Sequence, residues 1–102
     1  MVIISLQQII DEKISFLKEQ IIPDNKPQLN STYQIQIDII RYAAQDLENV
    51  ESLIKQKKEL LKNSKDVQET DRLLAELEAL EWLQAQIVVF TLEDSNEAAL
   101  GI

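Results

Sequence analysis

The chain has 102 residues, 45% of them hydrophobic and 27% charged, with one glycine and two prolines. That is enough apolar side chain for one buried core, and too few turn residues for an all-β fold, which needs a turn signal every ~8–12 residues. Eighteen acidic against ten basic side chains give a net charge of −8, and there is no His or Cys. A field of that sign opposes nucleic acid and anionic membranes. The missing residue types remove an imidazole base, a thiolate nucleophile and ordinary zinc ligation.

The start, Met1-Val2-Ile3-Ile4, has no basic residue and its apolar run stops at Ser5, so it does not read as a signal peptide. No apolar run approaches the ~20 residues that span a bilayer. The expectation is a cytoplasmic protein with no membrane partner. Ser5 and Gln8 make a capping box, with Ile4 and Ile9 placed as a hydrophobic staple. Leu6, Ile10, Ile14, Leu17 and Ile21 then recur at three- and four-residue spacing, widened by Ile9 and Phe16. This predicts an amphipathic first helix over residues 5–22. Pro23 ends it, and residues 23–30 form a flexible connector rich in turn formers.

Ser31 with Gln34 is a second capping box and predicts a helix over residues 32–62. Residues 33–39 alternate apolar and polar as a strand does, yet Tyr33, Ile37, Ile40, Ala44, Leu47, Ile54 and Leu61 continue one helical stripe. The stripe runs far beyond the alternating stretch, and the helix is preferred. Ile35, Ile39, Tyr42, Leu53 and Leu60 add a second apolar arc. An arc wider than ~100° implies two or three neighbours, so this reads as the central helix.

Residues 63–65 break the pattern, and Asp66 with Glu69 caps a third helix over residues 66–92. Leu73, Leu77, Leu80, Ile87 and Thr91 form its stripe. Ile87-Val88-Val89 is β-branched, but no turn residue separates it from the helix, which is read as continuing. Residues 93–102 are an acidic tail with either one last turn after Ser95 or no fixed structure. The fold expected is all-α: an antiparallel three-helix bundle built on a long hairpin of the second and third helices.

Trp82 lies opposite the third helix's stripe, among Ala75, Ala79, Gln86 and Val89. A large aromatic among small residues suggests a face that another helix approaches closely, and Trp is enriched in binding hot spots; the alternative is that the first helix folds over it. A second helix of thirty residues spans ~45 Å and the first only ~26 Å. Covering that overhang implies a homodimer through Ile35, Ile39, Tyr42, Leu53 and Leu60, through the Trp82 face with Ala75, Ala79 and Val89, or both.

Lys55, Lys57, Lys58, Lys62 and Lys65 gather at the end of the second helix, where cations favour the helix dipole and Glu51 pairs with Lys55 one turn on. The sharper alternative is an anion site on Lys55, Lys58, Lys62 and Lys65 with Arg41 and Arg72. Glu69, Glu76, Glu78, Glu81, Glu93, Asp94 and Glu97 make the third helix and tail acidic. Residues 24–29 do not match a calcium loop, lacking its glycine and its bidentate Glu. A single glycine also leaves no phosphate-cradling loop. Glu76 and Glu81 as an acid–base pair have no evident cleft.

No catalytic residue, cofactor or metal is therefore expected. The reading is a small non-catalytic helical interaction module that binds itself and another protein. An adaptor, an assembly factor or an inhibitor would use an apolar helical face with an acidic rim in this way. The alternatives are an oligomeric binder of an anionic metabolite or nucleotide at a subunit interface, and an acidic mimic of nucleic acid.

Overall fold

A computed structural model of the chain describes the backbone of residues 5–100 and the side chains of residues 5–90. The described residues form four α-helices and no strand: α1 (Leu6–Gln20), α2 (Pro27–Ala44), α3 (Val50–Asn63) and α4 (Val67–Leu100), with a 3₁₀ turn at Leu47–Asn49. Residues 33–39 and 87–92, both open to a strand reading, are helical. A lone strand would leave its ladder groups unpaired, whereas a helix satisfies them within the segment.

The first helix begins where its cap requires: the Gln8 amide donates to Ser5 Oγ at 3.1 Å. It ends at Gln20, with Ile21 already extended. The connector is shorter than residues 23–30 and is pinned rather than flexible. Asn25 Nδ2 donates to the Gln20 carbonyl at 2.6 Å and to Asn30 Oδ1 at 2.9 Å, and Asn30 Nδ2 donates to the Ile22 carbonyl at 2.9 Å. The second helix starts at Pro27, ahead of the predicted capping box. Proline suits the first helical position because its missing N–H would be unpaired there anyway. Gln34 does not turn back to a cap; its Nε2 donates forward to Asp38 Oδ1 at 2.9 Å.

The largest correction concerns the helix expected over residues 32–62, which is two helices. Asp46 sits at φ −149°, ψ 79°, outside the helical region, and the Asn49 amide donates to its carbonyl at 3.1 Å. Asp and Asn are weak helix formers whose side chains compete for backbone groups. The turn also lets both of its flanks reach the core, since Ala43 and Val50 are fully buried on either side of it.

Because the chain reverses there, the central helix is α4, not α2. α4 packs against α2 and α3 and also touches α1, while α1 packs mainly on α2. The wide apolar arc read along one helix is shared between two that flank α4. Helices of 18 and 14 residues replace the single ~45 Å rod expected over residues 32–62, and the length mismatch moves to α4. α4 is 34 residues long, ~51 Å at 1.5 Å per residue, and sets the long axis of a 53 × 33 × 17 Å molecule.

One apolar cluster holds the bundle: Ile10 and Leu17 of α1, Ile37, Ile39, Ile40 and Ala43 of α2, Val50, Leu53 and Ile54, and Leu77, Ala79, Leu80 and Leu83 of α4. Leu6, Ile14, Ile21, Tyr33, Ala44, Leu47 and Leu61 pack against it half-buried. The first two predicted stripes thus face the core throughout, although the second crosses a turn. At the α3–α4 turn the Gln68 amide donates to Asp66 Oδ1 at 3.0 Å, so Asp66 is the cap expected. α4 continues past residue 92 to Leu100; the side chains of the acidic tail lie outside the described residues.

Candidate protein-interaction groove

α2 and α4 run in the same direction and make polar contact at Gln36, whose buried Nε2 donates to the Ala75 carbonyl at 3.4 Å. Ala75 and Ala79 are buried there, small enough to let the backbones approach. Toward the two N-termini a groove of about 1080 Å³ remains between the helices. Its apolar lining is Pro27 and Ile35 from α2 and Leu74 and Ala75 from α4. Ile35 is half-buried, and Leu74 is 50% exposed. One exposed leucine is ordinary on a protein surface; Leu74 is singled out because it shares a concave lining with Ile35 of the neighbouring helix.

The rim is acidic. Asp66, Glu69, Asp71 and Glu78 line the groove with Arg72 as the one cation among the lining residues. Arg72 Nε also lies 3.7 Å from Glu76 Oε1. Gln28, Ser31, Thr32 and Gln68 complete the edge. The site is therefore an apolar floor between two helices, flanked by four carboxylates on the same helix and its cap. Sequence reading placed Ile35 among the interface candidates but passed over Leu74, which lies beside the third helix's main stripe. Both fall off the core stripes of their helices, and that was the available signal. Only the parallel pairing of α2 with α4 puts them side by side.

The other candidates divide by burial. Ile39, Leu53, Ala75 and Ala79 are covered by the chain itself, so the helix that approaches the alanines is this chain's own α2. Trp82 is half-buried against the core, and the Lys13 ammonium of α1 stands 5.2 Å from its ring centroid and 5.7 Å from that of Phe16. α1 thus reaches over Trp82, at a distance typical of cation–π contact. Tyr42, Leu60 and Val89 are exposed, on three different helices.

The basic candidates do not converge. Lys55, Lys58, Lys62 and Lys65 are exposed along α3 and the following turn, while Arg41 is near the far end of α2. Lys58 Nζ lies 3.7 Å from Glu81 Oε1, and Arg72 faces Glu76. The carboxylates Glu76 and Glu81 are each tied to a lysine of α3. Lys57 Nζ meets Glu76 Oε2 at 3.2 Å in a largely buried contact, and Glu81 holds the exposed Lys58.

Among the described residues no three Asp or Glu side chains converge as a metal site would require, and no helix is long and apolar enough to cross a membrane. Comparison with protein-family models, with curated proteins and with solved structures finds no match.

Proposed function

We propose that this chain is a small non-catalytic interaction module that binds a protein partner in the groove between α2 and α4. The observation that carries the reading is the half-exposed Leu74 beside Ile35, with Asp66, Glu69, Asp71 and Glu78 along the α4 side. An apolar groove is one of the recurring receptors for an amphipathic helix of another chain. An anionic metabolite would meet four carboxylates in the same place, which makes the small-ligand reading the weaker one.

A photo-crosslinking residue placed at position 74, with position 16 as an exposed control, tests the assignment. A discrete protein adduct from position 74, lost when Ile35→Asp is added and absent from position 16, is expected. Adducts from both positions alike, or from neither, would reject the groove.

The proposal of a homodimer now rests on fewer residues, with Val89 and its neighbour Val88 exposed beyond the main core. Sedimentation at micromolar protein should give a dimer mass that falls to monomer with Val89→Glu. A monomer mass independent of concentration would reject it.

A further inference from the structure

Resting on the reading of the groove as a protein site, the geometry points to one class of occupant: a cationic amphipathic helix of three to four turns. Three observations set this. The first is length. The α4 side of the groove runs from Asp66 to Glu78, ~18 Å of helix, which a partner helix of about twelve residues would match. The second is shape. The floor is a strip, Ile35 and Leu74 with Pro27 and Ala75, that takes apolar anchors at three- and four-residue spacing from one helix face. Among the described residues there is no strand, so no open edge offers backbone pairing to an extended peptide.

The third observation is charge. Four carboxylates line the α4 side of the strip against a single guanidinium, that of Arg72, which also lies 3.7 Å from Glu76. A partner with Lys or Arg flanking its apolar stripe would be steered in by this rim and by the net charge of −8, whereas a partner carrying carboxylates would be repelled. A second copy of this chain carries the same net charge and is the less complementary occupant.

The probe is a fourteen-residue helical peptide with leucines at i, i+4, i+7 and i+11 and lysines on its other face. One control has the same composition with the leucines spread around the helix. Another has glutamate in place of every lysine. Each is titrated into isotope-labelled full-length protein, with amide shifts locating the contact and calorimetry giving the affinity.

The lysine helix is expected to bind one to one and to shift residues 31–35 and 71–78. Leu74→Lys and Asp71→Lys should each weaken it by about tenfold. Both positions are exposed, and unchanged circular dichroism checks that the variants fold. Added salt should weaken the wild-type contact.

Equal binding of the spread control would reduce the contact to bulk charge attraction and overturn the proposal. Preferential binding of the glutamate helix at the same residues would overturn the charge assignment while leaving the groove as a protein site. Shifts confined to Phe16 or to Val88 and Val89, or no shift with any peptide, would overturn both.

Discussion

α4 makes two long seams through one apolar cluster, and they differ in how their ends are closed. Against α3 it is closed by a three-residue turn, by the Asp66 cap and by the Lys57 and Glu76 pair, whose side chains are only 21% and 12% exposed. Against α2, a helix remote in sequence, it packs through the shared apolar cluster, two alanines and one amide contact, and it stays open toward the N-termini. Chain connectivity forces the first seam to close from the turn upward, because the ends of α3 and α4 are tethered. No tether acts on the N-termini of α2 and α4. Closure there depends on side-chain volume alone, and Ile35 and Leu74 do not fill the space. The open seam is where apolar surface is left uncovered.

The sharpest break of both seams is in the core. Leu80 is fully buried, and Leu80→Ala should cost about 2–5 kcal/mol in urea unfolding, the range for a buried leucine whose cavity relaxes only in part. A cost near zero would mean that the cluster is not packed as described.

The α2 seam alone is challenged by Ala79→Leu. Overpacking a tight junction costs about 1–3 kcal/mol, and amide shifts should concentrate on α2 around Gln36 and Ile40. An unchanged stability would show that the alanines do not set the separation of the two helices.

Breaking the α3 seam is expected to have a smaller effect, and one that splits by burial. Glu76→Ala leaves Lys57 largely buried without its carboxylate and should cost about 1–2 kcal/mol, an estimate below the fully buried case because the pair is partly solvated. Glu81→Ala removes a pair in which both partners are more than half exposed, and should stay within about 0.5 kcal/mol. Equal effects of the two changes would contradict the difference in burial.

Much of this fold could be read from spacing. The stripe of α1 and the stripe from Tyr33 to Leu61 both face the core, and the caps at Ser5 and Asp66 stand where their residues announced them. The turn at Asp46 could not be read so directly. Ala44, Leu47 and Val50 keep a three-residue spacing that a continuous helix and a helix–turn–helix satisfy equally well. Reading through it merges α2 and α3 into one helix over residues 32–62 and makes that helix the centre in place of α4. Leu74 was passed over for a related reason: periodicity marks the main face of a helix, while a groove is lined by its flanks.

Composition and periodicity by themselves determined the all-helical class, the caps at Ser5 and Asp66 and the inward stripes, because these depend on residues within one or two turns of each other. Tertiary structure alone decided that α4 is central, that Trp82 is covered by Lys13 of α1, and that an acidic-rimmed groove opens between α2 and α4. Those features follow from which helix lies beside which once the chain reverses at Asp46, and local spacing carries no information about that choice. The same apolar arc can be buried against this chain's own helices or against another molecule, at similar gain per unit area. Only the placement of the helices distinguishes the two.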